Sequence, residues 1–269
     1  MRGLSCAFVA GLLLACTAGI SAAQHEVKLS NGTVLQPKPY FIVSYIETAP
    51  DAAKAAEALI RKQVAIGKSA KGNLRFEALK RQGHPNHFAI VETWEDPQSR
   101  EAHAKSAGKI EFRKAIQPML YSPYDERPHV GLLAADPKTV AAGRRGTVYV
   151  ITHVDIIPTE QFAPCKRQVD EKGPCGNAMV TQLAEESRKH KGMVRFDVLT
   201  QSNRPNHMKI VEMWSSARAQ RAHTVTPEVQ AFRDRLAGIK VGSGVNANPL
   251  FVINSLSGSL YDERIYRGM

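Results

Sequence analysis

At 269 residues with 43% apolar side chains, the chain has material for two ordinary globular domains and lacks the composition of a fibrous or disordered protein. Its formal charge of +11 reflects 36 Lys and Arg against 25 Asp and Glu. The basic residues (Arg61-Lys62, Lys80-Arg81, Arg144-Arg145 and 189–191) are scattered and not interleaved with aromatics. That pattern describes a solvated surface rather than a nucleic-acid-binding stripe, and no apolar run is long enough to span a bilayer.

Residues 1–23 read as an export signal: Arg2 supplies the positive start, 6–15 the apolar stretch, and Ser21-Ala22-Ala23 the small cleavage residues. The expected location is therefore the periplasm or the exterior. Leu13-Leu14-Ala15-Cys16 resembles a lipoprotein cleavage box, so anchoring at Cys16 is the alternative. With Cys6 and Cys16 in the signal, the mature chain keeps Cys165 and Cys175, most simply a disulfide in an oxidising compartment.

A first unit is expected over 37–128. Residues 40–47, β-branched and aromatic, predict a strand. Thr48 and Asp51, ahead of a helix over 52–66, have capping-box spacing. A second strand follows at 74–79, then Gly83-His84-Pro85-Asn86 with the chemistry of a hairpin turn. A third strand over 87–94 places Phe88, Ile90, Glu92 and Trp94 on one face. Asp96-Pro97 is an N-cap with proline at the first helical position. The helix it opens runs past His103, with an interruption expected near Gly108, towards Ile116. A fourth strand is expected at 119–124, closed by Asp125-Glu126-Arg127.

After a linker over 129–145, a second unit over 146–269 repeats this order. Arg75-Phe76, Pro85-Asn86-His87, Glu92-x-Trp94, Ala102-His103 and Phe112-Arg113 all recur exactly 120 residues later. Fourteen of the 39 positions in 75–113 are identical to their counterparts, well above the two or three that ordinary residue usage supplies by chance. The chain is a tandem duplication. Its first strand, 148–155, sits at an offset of 108, so an insertion containing both mature cysteines precedes the second strand. A further insertion lies around 238–254, with an extra strand expected at 249–253. Ser-x-Tyr-Asp-Glu-Arg then returns at 259–264.

The order βαββαβ is the ferredoxin-like arrangement. Phe41, Val43 and Tyr45 alternate with apolar Ile42 and Ile46, so the first strand must be covered on both faces. The expected fold is α+β: two ferredoxin-like βαββαβ domains packed sheet to sheet as a barrel within one chain.

Glu92-x-Trp94 followed by His103, Phe112 and Tyr124-Asp125-Glu126-Arg127, with the second set at Glu212, Trp214, His223, Phe232 and 261–264, resembles the antibiotic biosynthesis monooxygenase (ABM) family. The resemblance implies a dimeric α/β-barrel, here a pseudo-dimer in one polypeptide open to further self-association. It also implies a small aromatic partner such as a quinol or polycyclic phenol, O₂ as co-substrate, and no metal, flavin or other cofactor. Without a cofactor the substrate itself must reduce O₂. A neutral histidine suits removal of a phenolic proton, which points to His103 and His223, with Trp94 and Trp214 as aromatic walls, as catalytic candidates. Asn86, Asn206, Tyr45, His153, Glu92 and Glu212 are the substrate-binding candidates. Each has a structural alternative: core anchors for the tryptophans and histidines, turn residues for the asparagines, ion pairs with Arg75 and Arg195 for the glutamates. The pair Tyr45 and His153, at matching strand positions, argues against two identical sites. His84-x-x-His87 has metal-ligand spacing, but Arg204 replaces the first member in the second copy, and no metal is assigned. Arg113 and Arg233 stand where haem-degrading relatives carry histidine, which counts against haem breakdown. Haem binding and a non-catalytic module for quinone-like ligands are the alternatives.

Overall fold

The computed structural model describes residues 26–156, 158, 161–162, 174–237 and 262–269. The signal segment 1–23, Cys165, Tyr261 and the 238–254 insertion with its expected strand lie outside them. Cys175 is disulfide-bonded.

A short hairpin, β1 (Val27–Lys28) and β2 (Val34–Leu35), precedes the first repeat. That repeat is β3 (Tyr40–Glu47), α1 (Ala53–Lys68), β4 (Asn73–Arg81), β5 (His87–Trp94), α2 (Pro97–Ala104), α3 (Ala107–Ile116) and β6 (Asp125–Leu133). The second is β7 (Val148–Asp155), α4 (Gly176–Ser187), β8 (Met193–Gln201), β9 (Arg204–Trp214), α5 (Ala217–Thr224), α6 (Pro227–Ala237) and β10 (Asp262–Gly268). Both follow the βαββαβ order.

Eight strands close one antiparallel barrel in the order β10-β4-β5-β3-β6-β8-β9-β7. The fourth strand of each repeat is the seam. β6 pairs with β3 of its own half and β8 of the other; β10 pairs with β7 and with β4. The alternation in β3 works as its sequence requires. Tyr40, Ile42 and Ile46 join the core beneath α1 and α3, while Phe41 and Val43 meet Tyr149, Ile151, Val211 and Met213 inside the barrel. A third core, around Val154, Val180, Phe196 and Phe232, lies under the helices of the second half.

Two local expectations are corrected and a third, the helix interruption near Gly108, is borne out and placed. The fourth strand is Asp125–Leu133, not 119–124, so it runs on into the segment expected to be linker; Gln117–Met119 is a 3₁₀ turn instead. Thr48 does not cap α1, which starts without a side-chain cap, because its hydroxyl turns to the carbonyl of Asn86. The helix break falls at Lys105-Ser106, where Ser106 caps α3 through the Lys109 amide. Gly108 sits inside α3, where an added Cβ would come within 3.0 Å of Ile66. The Asp96 cap is as expected, accepting from the Ser99 amide at 2.8 Å with Pro97 opening the helix.

Among the described residues no helix is long and apolar enough to cross a membrane.

Candidate functional site at the barrel mouth

The repeated residues converge between sheet and helices, but they are packed shut. Trp94 and Trp214 are fully buried. Trp94 Nε1 donates to Glu92 Oε2 at 2.9 Å and Trp214 Nε1 to Glu212 Oε2 at 2.7 Å. His103 and His223 lie over their indoles at centroid distances of 4.9 and 4.6 Å. Beyond the rings, His103 Nε2 meets Gln63 Nε2 at 3.2 Å and His223 Nδ1 meets His190 Nδ1 at 2.9 Å. Burial lowers both histidines, His223 to about 4. The glutamates do not pair with Arg75 and Arg195. Lys109 faces Glu92 at 3.4 Å, whereas Arg75 and Arg195 meet Glu77 inside the barrel at 3.2 and 2.8 Å. The asparagines act as clamps: Asn86 Nδ2 donates to the Thr48 carbonyl at 2.7 Å, and the Asn206 carbonyl accepts from the Ile156 amide at 2.9 Å.

Tyr45 and His153 behave differently. Strand alternation points both into the barrel, and both line one cavity of about 340 Å³ at its mouth. Arg127 and Arg264, each the third residue of a seam strand, line it too, with Lys209 and Tyr266. The arginines are held by Asp125 at 2.7 Å and Asp262 at 2.6 Å. Lys209 Nζ stands 5.1 Å from the centre of the Tyr45 ring and contacts His153 Nδ1. Burial, followed by the positive charge of Arg127, brings Lys209 down to about 7. Burial pushes the Tyr266 phenol up to about 12 and that of Tyr45 higher. Further down the same face of β6, His129 donates from Nδ1 to the Arg127 carbonyl at 2.9 Å, and burial lowers it to about 3.

The mouth joins both halves but is not symmetric. Register places Tyr45 opposite Ala89 and Glu47 opposite His87 in one half, and His153 opposite Lys209 and Asp155 opposite His207 in the other. In the second half Asp155 Oδ1 accepts from His153 Nε2 at 2.6 Å and His207 Nδ1 at 2.8 Å. In the first, His87 reaches Glu47 at 3.3 Å. Asp155, His207, Lys209, Arg127, Arg264 and Tyr266 are not among the site candidates that the sequence offers, although His207, Arg127 and Arg264 belong to its repeated motifs. Their signal is the pair of spacings His153-x-Asp155 and His207-x-Lys209, which share a face only once the two strands are set in register.

At the opposite end, a cavity of about 810 Å³ lies beneath the segment that joins the halves. There Arg75 donates to the carbonyls of Val140 and Ala141 at 3.0 and 2.6 Å, and Glu77 accepts from Tyr149 at 3.2 Å. These polar groups fasten the connecting segment to the barrel.

An eight-stranded barrel made of two βαββαβ repeats with helices outside defines the dimeric α/β-barrel class. The antibiotic biosynthesis monooxygenase family model matches residues 39–116 and 177–235, and the chain belongs to that family. Its barrel is similar to that of a monooxygenase candidate from Fusobacterium nucleatum subsp. nucleatum, at 13% identity and a TM-score of 0.67 over 86% of this chain and 92% of that one. A monooxygenase candidate from Lactobacillus acidophilus gives 10% identity and a TM-score of 0.60, covering 86% and 94%. An anthrone oxidase-like protein gives 11% and 0.57, covering 86% and 92%. At these identities the likeness is one of fold. No curated protein matches the chain.

Proposed function

We propose that the protein is an oxygenase that uses O₂ on a small phenolic or quinol-like aromatic compound bound at the barrel mouth, without flavin or haem. Family membership supports oxygenase chemistry. The observation that carries the choice of site is Lys209, an amine held near neutrality beside tyrosine surface and two arginines, in a cavity within the usual size range of small-molecule pockets.

In this reading Lys209 acts as the base. Its free amine takes the phenolic proton, and the ammonium so formed, with Arg264, holds the phenolate against the Tyr45 face. A lysine brought close to working pH is suited to that exchange. The electron-rich anion then reduces O₂ directly. For an anthrone-type ring, the activated CH₂ becomes C=O with one oxygen atom of O₂. The other leaves as water with the two hydrogens, so no external reductant is consumed.

Oxygen uptake across a panel of reduced quinols and anthrone-type phenols tests this. Wild type is expected to exceed the autoxidation background, and Lys209→Met to lower kcat/KM by roughly 10²-fold or more. Folded His103→Ala and His223→Ala proteins should stay within a few-fold of wild type. Saturable binding with no uptake would leave a binding module. Uptake that survives Lys209→Met but fails in His103→Ala would return the chemistry to the helix–sheet layer.

A further inference from the structure

We propose that His153, Asp155 and His207 bind one divalent transition-metal ion at the edge of the barrel mouth. The inference goes beyond the oxygenase reading and does not depend on it.

The geometry follows from two strands. Residues two apart on a strand share a face, so β7 presents His153 and Asp155 to the same side. The antiparallel register sets His207 of β9 directly opposite Asp155. One donor atom from each of the three side chains lies within 4.8 Å of the other two, and His153 Nε2 and His207 Nδ1 meet Asp155 Oδ1 at 2.6 and 2.8 Å. Metal–ligand bonds of about 2.1 Å at tetrahedral angles place donors roughly 3.4 Å apart, so the side chains need shifts of roughly 1 Å or less. Both strands are held in an eight-pair ladder, while the side chains keep partial exposure of 19%, 12% and 23%. The backbone is fixed, the side chains have room to adjust, and solvent can reach the open coordination positions.

The donor set selects the ion class. Two imidazoles and one carboxylate suit Zn²⁺, Cu²⁺, Ni²⁺ or Fe²⁺, whereas Mg²⁺ and Ca²⁺ favour oxygen ligands throughout. The first half supplies an internal control. Tyr45 stands where the second has His153, leaving only Glu47 and His87 as donors at the matching positions. His84, whose ring lies 4.9 Å from that of His87, gives a second control. Lys209 contacts His153 through Nδ1, the ring nitrogen turned away from the donor set. Without a metal the three side chains form a hydrogen-bonded chain centred on Asp155, and that is the competing outcome.

Tag-free full-length protein, stripped with a chelator and dialysed, would be titrated with ZnCl₂ in a calorimeter and with CoCl₂ by visible absorption. One equivalent of Zn²⁺ is expected at micromolar affinity or tighter, with cobalt d–d bands appearing at the same stoichiometry. Loss of an outer-sphere partner alone costs 10–100-fold, so His207→Ala and His153→Tyr should each weaken binding by about 100-fold or more. The second of these copies the first half's own residue. His84→Ala and His87→Ala should change nothing. Should His207→Ala fail to fold, His153→Tyr and Asp155→Asn decide the matter. Absence of a stoichiometric equivalent, binding indifferent to these substitutions, or binding lost in His87→Ala would overturn the site.

Discussion

Glu92 and Glu212 occupy equivalent positions beside equivalent tryptophans and histidines, yet their electrostatic surroundings are opposite. In the first half, Lys109 projects from α3 to within 3.4 Å of Glu92 and 3.2 Å of Glu126. In the second, the position of Lys109 belongs to Val229, buried in the apolar core, and Arg233 takes Glu263 at 2.7 Å. Burial, only partly opposed by the Trp214 hydrogen bond, pushes Glu212 up to about 8. One half therefore satisfies its carboxylate with a cation; the other keeps its carboxyl protonated at neutral pH. The recurring residues form scaffold, and the replaced neighbours set the chemistry. The mouth repeats this lesson, since the residues that distinguish it are Tyr45 exchanged for His153 and Ala89 for Lys209.

The most damaging way to erase the difference is Lys109→Val, which gives the first half the second half's residue. It leaves the Glu92 carboxylate buried without its ammonium partner, at a cost of about 3–5 kcal/mol near pH 8. Urea denaturation should register that loss, and changing Glu92 to Gln in the same chain should recover most of it. A loss that persists undiminished in the double variant would mean that Lys109 matters for packing alone.

A smaller effect is expected from pH in the second half. Glu212 has a folded-state value above its unfolded one, so between those values the native protein holds the extra proton and stability falls as pH rises. His223 is shifted the other way, and its contribution rises with pH only up to about 6.5. Above pH 6.5 the His223 contribution is constant, and that of Lys209, which rises with pH above about 7, cancels in a comparison with Glu212→Gln, so the window for Glu212 is pH 6.5 to 8. There, wild type should lose roughly 2 kcal/mol relative to Glu212→Gln, read as the difference between the two pH–stability curves. Val229→Lys, which transplants the first half's solution, should flatten the same slope. Parallel curves for wild type and Glu212→Gln would remove the proposed asymmetry.

Much of this architecture is legible in the amino-acid order. The constant 120-residue offset reveals the two copies, and the two apolar faces of 40–47 demand cover on both sides. The fourth strands are not legible. Asp125, Glu126, Arg127 and Pro128 have turn-like composition, and the segment is extended because two sheets bind it, with Tyr40 pairing Val130 on one side and Gln201 pairing His129 on the other. Propensity gives way there to barrel closure. The mouth was half visible for the same reason. Tyr45 and His153 face inward by alternation alone, but bringing Asp155, His207 and Lys209 beside them requires the register between strands some fifty residues apart. Identity between the repeats also drew attention to Trp94, His103 and their copies, which are the best-buried members of the site rather than its accessible ones.

The finest distinction between the halves is a pair of buried hydroxyls. Ser44 and Thr152 share one position on the first strand of each repeat, both fully buried, and neither hydroxyl has a hydrogen-bond partner among the described residues. Each faces the helix side of its sheet, in line with Ile42 and Ile46 or with Val150 and Val154. An unpaired buried hydroxyl carries its desolvation cost with no return, so removing it at constant shape should stabilise. Thr152→Val preserves the branched shape and should gain about 0.5–1 kcal/mol, visible as a rise of a few degrees in the thermal midpoint. Ser44→Ala removes the hydroxyl but leaves a small void, and should come out near zero. If Thr152→Val instead destabilises by 1 kcal/mol or more, the hydroxyl has a partner, most simply an ordered water held between sheet and helices. The second half would then contain a polar pocket that the first lacks.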